Sequence, residues 1–110
     1  MASERAAVEY EFYIPAAVWE HGATRAFLAW LTSEVEGATV FKGAVGAWEG
    51  QVERTHVVRV LAGADEATSG LIAARAGELM RAWGESPQTR QETLMFTKRT
   101  AVVVTVEFGG

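Results

Sequence analysis

Between Val8 and Ile14 the chain alternates, with Val8, Tyr10, Phe12 and Ile14 interleaved with Glu9, Glu11 and Tyr13. A period of two puts the first set on one face of a half-buried β-strand. Pro15 ends that strand, because proline has no N–H to give to a sheet ladder. Ala16–Gly22 is then a connection. Phe27, Leu28, Leu31 and Val35 recur at helical spacing, which predicts a helix from Ala23 to Val35 with Gly37 placed to stop it. Two strands follow, Thr39–Trp48 and Gln51–Ala62, joined at Glu49-Gly50-Gln51. Gly50 supplies the positive φ of a tight hairpin turn, and Val57, Val58 and Val60 suit a pleated strand. Gly43 and Gly46 inside the first of these strands indicate a bulge or a bend.

A second helix is expected from Asp65 to Gly84. Asp65 is its N-cap, Glu66 lies in its first turn, and Gly84 and Pro87 stop it. Ile72, Ala76, Leu79, Met80 and Trp83 form its apolar stripe, opposite Arg75, Glu78, Arg81 and Glu85. The segment from Glu92 to Phe108 reads as two strands turning near Lys98-Arg99, with Val102, Val104, Val106 and Phe108 on one side of the second. The order β-α-β-β-α-β-β gives an α+β fold of ferredoxin-like type. It is a βαββαβ unit with an additional C-terminal strand, an antiparallel sheet carrying both helices on one face. Residues 1–110 form a single domain, with 1–6 and 109–110 expected to be disordered.

At 110 residues, 49% of them apolar, the chain supports one core. Its net charge is -4, and its ten lysines and arginines are dispersed, which argues against nucleic acid or an acidic membrane as partner. The absence of cysteine excludes disulfides, thiolate catalysis and zinc ribbons. MASERAAVEY lacks the apolar core of a signal peptide, and no apolar run approaches the roughly 18 residues of a membrane helix. A cytoplasmic location is the expectation.

His56 is the foremost chemical candidate. It shares a strand face with Arg54, Val58 and Val60 and is near Glu53 in sequence, an arrangement suited to a general base or a metal ligand. The plainer alternative is a strand histidine that hydrogen-bonds a neighbour. His21 with Glu20 is either a solvated loop pair or part of a metal site, but the two histidines show no metal-ligand spacing, and no metal is expected. Trp19, Trp30, Trp48 and Trp83 are candidates for core, pocket or interface, with Trp83 in the core. Lys98 and Arg99, with Arg54 and Arg59, form either a solvated tip or an anion site. Walker, Rossmann and serine-hydrolase patterns are missing.

One face of the expected sheet carries Tyr13, Val57, Met95 and Val103, and covering it calls for self-association. The hairpin Trp48-Glu49-Gly50-Gln51-Val52-Glu53, followed by Val57–Leu61, resembles the CutA branch of the PII-like proteins. The element order agrees along most of the chain. Two features of CutA have no counterpart: residues 38–42 are Ala-Thr-Val-Phe-Lys, without its cysteine, and Ser86-Pro87-Gln88-Thr89 stands where it has His-Pro-Tyr-Glu. The long loop that PII signalling proteins use to touch partners is also missing. The resemblance implies the fold and a homo-oligomer, a trimer in preference to a dimer. It also implies an oligomeric ligand-binding or regulatory role. Trp48, Glu53, His56 and Arg59 are the candidate binding residues, and the small-molecule ligand and any cofactor are unnamed. Two other readings stand beside it. One is a cofactor-free monooxygenase or isomerase using His56 in a tryptophan-lined pocket, and the other is a protein-interaction module.

Overall fold

The long strands are set by alternation, and the computed structural model shows where each begins and ends. It describes residues 1–48 and 50–109, with Trp48 by its backbone alone. The elements are β1 (Ala2–Pro15), a 3-10 turn (Ala16–Val18), α1 (Gly22–Glu34), β2 (Gly37–Trp48), β3 (Gln51–Ala62), α2 (Glu66–Trp83) and β4 (Met95–Val106). The sheet order is β2-β3-β1-β4, with every neighbouring pair antiparallel. This is a ferredoxin-like α+β arrangement. Glu49, assigned to the hairpin turn, lies outside the described residues, as does Gly110. No described helix is long and apolar enough to cross a membrane.

Two expectations need correction. The C-terminal segment is one continuous strand, so the additional strand does not exist as a separate element. Lys98 and Arg99 do not turn the chain, because successive side chains leave a strand on opposite faces. Lys98 Nζ donates to Ser69 Oγ at 3.2 Å on the helix side, and Arg99 Nε donates to Glu9 Oε1 at 2.8 Å on the other. Both charges are satisfied without breaking the ladder. Residues 2–6 are not frayed either: they begin β1 and pair with Val102–Val106 of β4.

The even-numbered side of β1 faces both helices. Tyr10, Phe12 and Ile14 pack there with Val58 and Val60 of β3, Phe27 and Leu31 of α1, and Ile72, Leu79 and Trp83 of α2. Phe12 sits at the centre, edge-on to Phe27 with ring centroids 5.4 Å apart and stacked on Phe96 at 5.0 Å. Trp83 is wholly buried, and its Nε1 donates to Thr24 Oγ1 at 2.8 Å. Thr24 Oγ1 donates in turn to the Val18 carbonyl at 2.7 Å. The chain of bonds ties α2 to α1 and to the 3-10 turn and satisfies both the indole N–H and the threonine hydroxyl.

The odd-numbered side has no helix over it. Val57, Met95, Val103 and Tyr13 lie there as expected, but a belt of charge crosses its centre. Arg59 Nε donates to Glu11 Oε2 at 2.7 Å, Tyr13 Oη donates to Glu11 Oε1 at 2.8 Å, and Glu9 lies between Arg59 and Arg99.

The register offsets the strands. β3 pairs with β1 only from Thr55 to Ala62, so its first residues continue past Pro15 with β2 alone. At the opposite corner Ala2–Ala7 continue past Ala62 with β4 alone. Two ribbons therefore extend beyond the helix layer from diagonal corners of a molecule measuring 55 × 27 × 22 Å.

Candidate functional site

The early end of β1 makes a cleft. In the order β2-β3-β1-β4, loss of β1 beyond Pro15 leaves a strand-wide gap between the advancing β2–β3 ribbon and the start of β4. A cleft of about 640 Å³ opens there, within the range usual for small-molecule sites. The ribbon contributes Gln51 and Glu53, β1 contributes Tyr13, β4 contributes Met95, and the α2–β4 connection contributes Arg90 and Glu92. That connection is held to the end of α2. Thr89 Oγ1 donates to the Trp83 carbonyl at 2.7 Å, and Arg90 Nη2 donates to the Gly84 carbonyl at 3.1 Å. The lining combines an aromatic ring and a thioether with one guanidinium, two carboxylates and amide side chains. Such a set can stack on a flat apolar group, accept from hydroxyls and meet an anion.

Glu11 sets the electrostatics behind Tyr13. The Tyr13 hydroxyl and the Arg59 guanidinium hold the Glu11 carboxyl below its usual range. The hydrogen bond to Glu11 in turn raises the Tyr13 phenol.

The second constellation lies on the other side of β3, at the root of the same ribbon. β2 carries a bulge between Phe41 and Ala44, and Gly43 within it has a φ of 76°, which glycine adopts without steric cost. The Gly43 N–H has left the ladder and donates instead to His56 Nδ1 at 3.0 Å. His56 is half-buried, and its ring packs against Trp19 with centroids 4.6 Å apart. The Lys42 ammonium lies 5.7 Å from the centre of the Trp19 ring. Burial lowers the His56 pKa, Lys42 and Arg54 lower it further, and Glu20 opposes them.

The four binding candidates do not meet at one point. Glu53 lines the cleft. His56 lines neither this cleft nor two smaller ones, of about 320 and 230 Å³, among the described residues. Arg59, three residues on, is on the opposite face of β3 and is engaged by Glu11 and Glu9. The Trp48 backbone pairs with Gln51 beside the cleft, and its side chain lies outside the described residues. As a catalytic candidate His56 has its Nδ1 occupied, which fixes the neutral ring's proton on Nε2. His21 is a helix cap whose Nδ1 accepts from Ala23 N at 3.1 Å.

The proposed cation cluster divides too: Lys98 is bonded to Ser69 on the helix side, and Arg99 to Glu9 on the open side. Trp30 is half-buried between Phe27 and the Arg75 guanidinium, which lies 5.0 Å from its ring centre. Tyr13, Gln51, Arg90 and Lys42 were missed as site residues by sequence reasoning, which had named Trp19 as a pocket candidate. Pro15, as a strand end, was the one local signal for the cleft.

No family model matches the chain, and no curated protein matches it in sequence. Among solved structures it is similar to CPII, a nitrogen regulatory PII-like protein from Thiomonas intermedia K12 bound to ADP, AMP and bicarbonate. The TM-score is 0.58 at 13% identity, over 92% of this chain and 96% of that one. The apo form of CPII from the same organism gives 0.55 at 11% identity, over 96% and 100% of the two chains. A variant of CutA1 from Pyrococcus horikoshii OT3 gives 0.41 at 18% identity, over 86% and 82%. The fold of this chain is PII-like.

Proposed function

We propose that the chain is a small-ligand-binding, regulatory protein of PII-like type that works as a homo-oligomer, with an adenine nucleotide as the ligand class. The observation that carries the reading is the cleft left where β1 stops short, between the β2–β3 ribbon and the α2–β4 connection. Its lining suits a nucleotide. Tyr13 and Met95 offer a surface for a flat base, Glu53 and Glu92 accept from sugar hydroxyls, and Arg90 meets phosphate oxygens. Support also comes from CPII, which shares the fold and was found with ADP and AMP.

Thermal-shift titration with ADP, AMP and ATP tests the reading, because a ligand that binds only the folded chain raises its melting temperature by mass action. ADP or AMP is expected to raise it, and Arg90→Ala and Glu53→Ala each to weaken the rise. Absence of any shift up to millimolar nucleotide counts against the reading.

A further inference from the structure

We propose that His56 is a proton-operated latch: protonating its ring frees the β2 bulge from β3 and loosens the root of the β2–β3 ribbon. The ribbon carries Gln51 and Glu53, two walls of the cleft, so the latch regulates that cleft. This consequence rests on the functional reading above. The latch itself does not.

The geometry makes the bond conditional on charge. A neutral imidazole can accept at Nδ1, and this one does, from Gly43 N at 3.0 Å. An imidazolium carries hydrogens on both nitrogens, so Nδ1 would present a donor to a donor. Gly43 is out of the β2–β3 ladder, so it has no cross-strand acceptor to fall back on. The neighbours reinforce the change. Lys42 of β2 and Arg54 of β3 are positive, and they disfavour a third positive charge between them. Trp19 presents its ring from behind the 3-10 turn, and Ile14 is the cross-strand partner on β1. Among the described residues Glu20 is the carboxylate acting on His56 in the opposite sense.

The same place is poorly provided with other bonds. Trp19 Nε1 and Thr55 Oγ1 are buried with no hydrogen-bond partner among the described residues. Thr55 is the last β3 residue paired to β1 and stands opposite Ala44, the first residue after the bulge. Beyond it the ribbon is held by its own ladder alone. Freeing the bulge at this root therefore lets the ribbon beyond it swing as a hinge, while β3 keeps its pairing with β1 from Thr55 onward.

Amide exchange of the full chain, followed by NMR from pH 7.5 to pH 5 and normalised to intrinsic rates, tests the latch. The Gly43 amide is expected to lose protection about fivefold or more, the equivalent of one neutral hydrogen bond, with the midpoint of the His56 ring titration. His56→Asn keeps an acceptor near the Nδ1 position but does not titrate, and it should hold Gly43 protection level across that range. Constant protection in the wild type while His56 titrates overturns the proposal. So does a loss that persists unchanged in His56→Asn. Should His56→Asn fail to fold, the wild-type comparison still decides. ADP affinity measured at both pH values separates the two readings. Weakening at pH 5 in the wild type beyond that in His56→Asn supports regulation of the cleft. Equal weakening in both removes the regulation, and ADP binding at neither pH overturns the cleft reading while Gly43 still judges the latch.

Discussion

Trp83 is the residue on which most of the helix layer depends. It fills the space between α2, α1 and the sheet, and its indole N–H is bonded to Thr24. Trp83→Ala is expected to cost about 3–5 kcal/mol, the usual range for a deleted buried aromatic, read from urea midpoints. A midpoint that barely moves would mean that α2 is phased differently. Glu11 makes a pH-dependent contribution. Its folded pKa is lowered by Tyr13 and then by Arg59, so its stabilisation is complete above the ordinary carboxylate value of about 4.3. It is lost as pH falls through the lower folded value. Glu11→Gln should therefore flatten the decline in stability on the acid side, measured as urea midpoints from pH 5 to pH 3. Trp83 was legible from the helical stripe that ends on it. The contact of Trp19 with His56 was not, because no periodicity relates a residue just after a 3-10 turn to one on a strand 37 positions later.

At the scale of elements, the strands and helices whose side chains obey one period were readable, and the element broken by charge was not. β3 and α2 were located from the sequence, Asp65 included, because alternation and an apolar stripe each have a single interpretation. β4 was divided in error, since Lys98-Arg99 in isolation looks like a turn. Only the positions of Ser69 and Glu9 show why both cations are at home on a strand. The Asp65 cap offers a test of α2. Its carboxylate accepts from Thr68 N at 2.8 Å and satisfies a donor that the helix cannot. Asp65→Ala should lower the thermal midpoint, and Asp65→Ser should restore most of it. Equal loss in the two would show that charge, rather than the cap bond, is what matters. The cleft belongs to this scale as well. Pro15 marks the end of β1 in the sequence, but a gap follows only from the sheet order that sets β3 and β4 on either side of it.

The whole molecule has two unpaired edge strands, β2 and β4, and a sheet face without helices. Valines continue along the β1–β4 ribbon, with Val102 65% and Val106 74% exposed. Such surfaces are normally covered, which predicts self-association; the resemblance of the hairpin to the PII-like proteins alone favours a trimer over a dimer. Light scattering should return a mass near three times that of the 11.9 kDa chain. A mass of one chain at micromolar concentration overturns self-association, and a mass of two discards the trimer alone. The ribbon at the other corner joins segments from the two ends of the sequence. There Ala2 pairs with Val106 and the Met1 carbonyl accepts from Glu107 N at 2.9 Å, so strands about a hundred positions apart must find each other. Closing so long a loop is entropically costly, so this pairing is expected to form late. Because Glu107 N is bonded to the Met1 carbonyl, a short link between these segments is expected to be tolerated. A circular permutant linking Gly110 to Met1 through a short glycine linker, with new ends between Pro87 and Gln88, turns this most distant pairing into a local hairpin. It should refold faster than the parent in stopped-flow experiments while keeping the same sheet, and an unchanged rate would mean that some other pairing limits how soon the chain becomes whole.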